Sequence, residues 1–364
     1  MRPIAIELFA GAGGLSLGLE NAGFDIPLAV EFVEEYAATL KKNHPKIKVL
    51  VKDVHDVDFK KEKEELGLNE VDLVSGGPPC QGFSTVGRKN EMDPRNSLFY
   101  EYLRAISELN PKYALFENVW GFKGMYDGKV YQILLKEMDS LGYNVDCDVL
   151  YAPDYGIPQT RKRFILIGSR KDMPQAFLPK KTHGPNLIPY LSFKDATSDL
   201  PVVRMKEEKH EYASDPQNDF QAKLRQGSNG LTRHRAMGHT PKMQKLIETI
   251  KEGQRIKDLP KELWPDRAKD PTKVVFPNTY GRLEASKPCS TITRNFSCIS
   301  AGTFIHPTQD RTLTFREAAR IQTFPDNYEF VGKTTNVQLG NAVPPMLGEI
   351  IGKEILKALQ TNTL

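Results

Sequence analysis

The sequence predicts an α/β fold, an open, doubly wound Rossmann-like sheet with a second, smaller, irregular domain, and three observations carry that expectation. Short β-rich runs alternate with helical patterns through the first half of the chain, the signature of a parallel sheet covered by helices on both faces. The first run leads into a glycine-rich turn, Gly11-Ala12-Gly13-Gly14. After Lys180 the alternation stops and a polar, aperiodic stretch begins.

In chain order, the expected strands are residues 4–9, 26–30, 47–51, 71–75, 113–116, 145–151 and 164–168. Between the fourth and fifth, residues 98–109 read as a helix, with Leu98, Tyr102 and Ile106 on one face and Asn96 or Ser97 as its cap. Residues 179–184 form a punctuated linker, and 201–230 hold few apolar side chains. Beyond them, Met243, Leu246, Ile247 and Ile250 fall at helical spacing, while 274–276 and 291–304 read as short strands and turns. Thr314-Phe315-Arg316-Glu317 is a capping box opening a short helix that ends before Phe324-Pro325. The last helix starts at Pro345, and its wide stripe of Leu347, Ile350, Ile351, Ile355 and Leu359 needs a large partner. The simplest partner is the first sheet, which makes the first domain discontinuous in sequence.

Composition narrows the function classes. No run reaches the roughly 18 apolar residues of a bilayer span, and the N-terminal apolar run is too short for a signal peptide. Membrane association is therefore not expected, and the cytoplasm is the expected compartment. The four cysteines (Cys80, Cys147, Cys289 and Cys298) have neither metal-ligand nor secreted-disulfide spacing, so no metal is expected. Net charge is +4, but residues 223–273 carry thirteen Lys or Arg against six Asp or Glu. That segment is a candidate phosphate-facing surface on an otherwise slightly acidic chain.

The chemistry-bearing residues gather at the carboxyl ends of successive strands. The glycine turn lets backbone approach a cofactor closely, although Ser16 stands where a dinucleotide site wants a third glycine or alanine. Glu31, some twenty residues on, suits a pair of ribose hydroxyls, and Asp53 suits an adenine amino group. The fourth strand leads through Gly76-Gly77-Pro78-Pro79 to Cys80. Two prolines forbid regular structure before that thiol and Gly82 and Gly87 loosen the chain after it, so it is presented rather than packed. Cys147, alternating with Val145, Val149 and Tyr151, reads instead as an ordinary strand residue. Glu117, in Phe116-Glu117-Asn118-Val119, ends the fifth strand, and Arg161 and Arg163 follow in Gln159-Thr160-Arg161-Lys162-Arg163.

These segments resemble the DNA (cytosine-5) methyltransferases, in particular those of bacterial type II restriction-modification systems. The likeness runs through IELFAGAGGLSLGLE, GGPPCQGFS, ENV, QTRKR, RTLTFREAARIQTFP and QLGNAVPP, in that family's order. The resemblance implies a Rossmann-like S-adenosylmethionine-dependent sheet and a cradle of Phe9, Ala10, Gly11, Gly13, Gly14, Leu15, Glu31, Phe32, Asp53, Val54, Pro78, Leu98, Asn341 and Val343. It implies Cys80 as nucleophile, Glu117 as an acid on the cytosine with a pKa raised by burial, and Arg161 and Arg163 on the base and sugar-phosphate. Gln81, Ser84, Arg88 and Arg95 would touch DNA from a loop, residues 81–97, that closes over the duplex. Glu7 stands where the family more often has Asp, and either carboxylate is expected to accept from the glycine-loop amides.

Residues 1–183 are then the catalytic domain, 184–304 the target-recognition region, and 305–364 the closing motifs with the returning helix. The expected partner is double-stranded DNA, for a monomer paired in function with a restriction endonuclease without a stable complex. The alternatives are a transfer-RNA cytosine-5 methyltransferase, an amino-group methyltransferase, which would place an aromatic residue after Pro-Pro, and a DNA-binding relative without catalysis.

Overall fold

The structure, a computed structural model, describes residues 2–79, 97–269 and 278–361. Seven strands form one sheet in the order β3-β2-β1-β4-β5-β7-β6. They are β1 (Ile4–Leu8), β2 (Asp25–Val30), β3 (Lys48–Leu50), β4 (Leu73–Gly76), β5 (Tyr113–Val119), β6 (Tyr143–Tyr151) and β7 (Lys162–Arg170). Each falls where the sequence places a strand. The sheet is mixed, however, because β7 runs antiparallel to both β5 and β6, which corrects the all-parallel expectation. The connection between β6 and β7, residues 152–161, is too short for a crossover helix and suits an antiparallel return.

Period-two alternation divides the central strands between two cores. Ile6, Leu8, Leu28, Val74, Ala114 and Phe116 face α3 (Phe59–Glu65), α4 (Ser97–Leu109) and α5 (Lys129–Ser140). Ala5, Ala29, Leu73, Tyr113 and Leu115 face the other side. There they meet α1 (Gly14–Ala22), α2 (Glu34–Asn43) and the last helix, α12 (Pro345–Thr361). The terminal helix lies along α1 at backbone distance: a Cβ on Gly18 would stand 2.5 Å from the Pro345 carbonyl oxygen and 2.7 Å from the Gly348 Cα. Glycine at 18 is what lets the two helices touch.

The remaining helices are α6 (Phe193–Thr197), α7 (Asp219–Arg225), α8 (Pro241–Thr249), α9 (Asp266–Lys269), α10 (Phe315–Ile321) and α11 (Thr335–Asn341). The capping box at Thr314 and Glu317 is present at the start of α10. Apolar residues of α6, α7 and α10 share a third core with Phe324, Tyr328 and Phe330. A small satellite core forms around Leu246, Ile247 and Ile250. Between these sits a buried charge cluster in which Arg320 binds both Asp199 and Asp326, and all three side chains are sealed from solvent.

Candidate active site

The carboxyl ends of β1, β2, β4 and β5 border a cavity of about 650 Å³, within the usual size range of small-molecule sites. One wall is the turn after β1. Phe9, Gly11 and Gly13 all have positive φ, at 55°, 57° and 85°, a backbone path that glycine takes freely and Phe9 holds at some cost. Ala10, Gly11, Gly14 and Leu15 line the cavity, as does Phe9, whereas Gly13 does not. A Cβ on Gly14 would overlap the Val343 carbonyl oxygen at 2.3 Å, so the turn is pressed against the closing segment.

Glu31 reaches across from the end of β2. Its two carboxylate oxygens accept from the backbone N–H of Gly11 at 2.7 Å and of Val33 at 2.8 Å. Burial pushes its pKa up, and these bonds work against that shift. Asp53 sits at the far side, partly exposed, and accepts from the His55 backbone N–H at 3.1 Å. That bond holds its carboxyl below the usual range. Phe32, Val54, Pro78, Leu98, Asn341 and Val343 also reach the cavity. Lining residues to which the sequence reading gave no role include Tyr36 and Gln338, the latter the first residue of QLGNAVPP. Tyr36 lies in the first turn of α2, which opens directly after Glu31 and Phe32.

Glu7 departs from expectation. It is buried beneath the turn and accepts from the Ser16 hydroxyl, not from the glycine-loop amides. Burial pushes its pKa up to about 8. The Ser16 that argued against a dinucleotide site is thus the partner of this acid.

Glu117 closes the inner end. A Cβ on Gly77 would lie 2.7 Å from its Oε2, so the absence of a side chain at 77 makes room for the carboxylate. The neighbouring Asn118 amide donates to the Pro78 carbonyl at 3.0 Å, tying β5 to the segment that leads to Cys80. Arg163 Nε meets Glu117 Oε1 at 2.7 Å. The acid therefore stands in an ion pair with Arg163, a partner that the sequence reading did not assign to it. Burial lowers the Arg163 pKa and Glu117 opposes that shift. Cys80, Gln81, Ser84, Arg88 and Arg95 lie outside the described residues.

Arg161 does not join the cavity. It is buried, and its guanidinium donates to the carbonyls of Ile292, Gly340 and Ala342. Arg161 precedes the first residue of β7, so strand geometry does not hold it on the Arg163 face, and its bonds to Ile292, Gly340 and Ala342 make it the junction between the two halves of the molecule. Part of the basic segment is likewise committed internally. Lys223 pairs with Glu349, Arg225 with Asp199, and Arg233 with the Phe330 carbonyl and Thr335 hydroxyl. Among the described residues, Arg235, Lys242, Lys245, Lys251, Lys257 and Lys261 remain exposed.

A nucleoside-sized cavity at the strand ends, with an acid beside a Gly-Gly-Pro-Pro approach, defines a methyltransferase-type site. The family profile of the C-5 cytosine-specific DNA methylases matches residues 4–357, and the chain belongs to that family. It is 37% identical to the type II methyltransferase M.DdeI of Desulfomicrobium norvegicum, over 96% of this chain and 88% of that one. With M.AgeI of Thalassovita gelatinovora it shares 33% identity, over 97% and 99%. A crystal structure described as a prophage-encoded DNA modification methyltransferase of E. coli superposes with TM-score 0.77 at 27% identity, covering 98% of this chain and 99% of that one. The chain is thus a DNA (cytosine-5) methyltransferase, and membership implies S-adenosylmethionine as methyl donor and DNA as substrate. Among the described residues no helix is long and apolar enough to cross a membrane, and no cluster of His, Cys, Asp and Glu is disposed to hold a metal.

Proposed function

We propose that the chain methylates C5 of a cytosine flipped out of a specific duplex sequence, through a covalent bond between Cys80 and C6, in the manner of a type II restriction-modification methyltransferase. The observation that carries this reading is the shared cavity: the glycine turn, Glu31 and Asp53 stand at one end, and Glu117, Arg163 and the approach to Cys80 at the other. The first end suits a nucleoside-bearing ligand. Glu31 offers two acceptors to ribose hydroxyls, Asp53 an acceptor to an amino group, and Phe9 an aromatic face, while Asn341 and Val343 complete the cradle. When bound, S-adenosylmethionine supplies the electrophilic methyl.

The protein's own residues then have defined work. The Cys80 thiolate adds to C6, which moves electron density to C5 and makes that carbon the nucleophile. Glu117, acting as the protonated acid, donates to N3 and accepts from the exocyclic amine, offsetting the charge that thiolate addition puts on the ring. Arg163 keeps the Glu117 carboxyl group oriented through Oε1 and is the donor for the base O2. After methyl transfer a solvent water takes the C5 proton, the C–H electron pair re-forms the C5–C6 double bond, and the C6–S bond breaks to release the Cys80 thiolate. Base flipping follows from access, because a cytosine stacked in the duplex cannot bring its ring to Glu117 inside the cavity. Residues 184–304 would supply the sequence reading.

Labelled methyl transfer to duplex DNA tests the scheme. Cys80→Ser should abolish it, and duplex containing 5-fluorocytosine should trap an adduct on Cys80. Transfer by Cys80→Ser would remove the nucleophile assignment, and an adduct with transfer RNA but not with DNA would change the substrate.

A further inference from the structure

Besides the Ala10 amide bond to the Val30 carbonyl, two side chains tie the turn after β1, one inside the cavity and one behind it. Glu31 holds the Gly11 amide from within. From behind, the Tyr328 hydroxyl donates to the Ala12 carbonyl at 2.6 Å, in a buried bond that spans most of the chain. Tyr328 is not a lining residue. Its single proton is spent on Ala12, so the His44 Nε2 at 3.1 Å donates to its oxygen. The other ring nitrogen of His44 meets Glu20 Oε2 at 2.6 Å. Glu20 is the outermost of the three, with a third of its side chain exposed, whereas His44 is sealed.

The fit of the turn onto this chain of groups is close. A Cβ on Gly13 would stand 2.5 Å from the Tyr328 oxygen and 3.1 Å from His44 Nε2. Glycine at 13 is therefore required by Tyr328 as well as by its positive φ. Phe9, a non-glycine residue at positive φ in this turn, is unfavourable on its own and persists where its surroundings over-determine it.

We infer that Glu20, His44 and Tyr328 form a positioning relay that presets the cofactor turn from the closing segment, so that cofactor affinity depends on residues that never touch the cofactor. This rests on the reading that the turn holds S-adenosylmethionine. Without the Tyr328 hydroxyl the buried Ala12 carbonyl loses its partner, and the turn must be ordered by the ligand at the ligand's expense.

The test compares wild type, Tyr328→Phe and Glu20→Gln in the full chain, by calorimetric binding of S-adenosylhomocysteine and by steady-state methyl transfer. Tyr328→Phe is expected to weaken binding, and raise the cofactor KM, by about tenfold, with kcat at saturating cofactor changed less than about twofold. Glu20→Gln, near the surface, should move the same two quantities in the same direction by a smaller factor. Unchanged binding and KM in both variants would overturn the relay, whatever their melting temperatures do. So would a fall in kcat with KM unmoved. If Tyr328→Phe does not fold, Glu20→Gln decides alone, and normal affinity there rejects the proposal. Failure of the underlying reading looks different: wild type itself would then not bind S-adenosylhomocysteine, or would bind it as well after Glu31→Ala.

Discussion

The strand ends of the sheet and the segments packed around α10 use charge in opposite ways. At the strand ends, charged groups line an opening: Glu31, Asp53, Glu117 and Arg163 all border the cavity, where a ligand can exchange partners with them. In the segments around α10, charged groups are sealed. Arg320, Asp199 and Asp326 satisfy one another with no solvent access, and Arg282 donates to the carbonyls of Ile247, Ile250, His306 and Gln309. A region with little regular secondary structure has many backbone carbonyls without sheet or helix partners, and buried arginines supply the missing donors. The difference teaches that a charged residue in this chain signals chemistry only where it is open to a cavity.

Two substitutions would break that comparison if they behaved alike. Glu117→Gln keeps shape and removes the acid, so methyl transfer should fall by a factor of about 10²–10⁴ while the melting temperature scarcely moves. Arg320→Met leaves Asp199 and Asp326 without their main cation, at a cost of about 3–5 kcal/mol in unfolding free energy. Arg225 and Arg316 approach the two carboxylates and soften that loss. Denaturant unfolding measures it, and transfer per folded molecule should remain near normal. A stability loss at Glu117 of the same size, or none at Arg320, would dissolve the distinction.

Legibility followed the same line. The seven strands could be read because each alternates onto two cores, and the cavity could be anticipated because strand ends in such a sheet share one edge. The direction of β7 was missed because period two is blind to orientation, and only the length of the β6–β7 connection carries it. The motif QTRKR marks Arg161 and Arg163 equally, yet only Arg163 lies within β7, beside β5, while the carbonyls of 292, 340 and 342 take Arg161. The basic excess of 223–273 overstated its free charge, because the partners of Lys223, Arg225 and Arg233 lie far away in sequence. Tyr328 carried no local signal at all. Its partners are Ala12 and His44.

Among the groups at the strand ends, Glu7 is the exception that sharpens the rule, since it borders the cavity yet is almost wholly buried. Burial raises its pKa from 4.5 to about 8. The folded state therefore binds a proton that the unfolded chain releases between those values, and stability must fall as pH rises through that window. The contribution is fully present below pH 4.5, and by pH 7 the loss amounts to at most about 3 kcal/mol. Gln resembles the protonated acid and cannot titrate, so Glu7→Gln should match wild type near pH 5 and exceed it increasingly toward pH 8. Other groups contribute with either sign. Burial raises Glu31, whereas Arg311 outweighs burial at Glu317 and holds its carboxyl low. The informative quantity is therefore the difference between the two unfolding curves at each pH. A constant difference would mean that Glu7 is ionised in the folded protein, with the Ser16 hydroxyl and whatever else reaches it from the cavity sufficient to hold the charge.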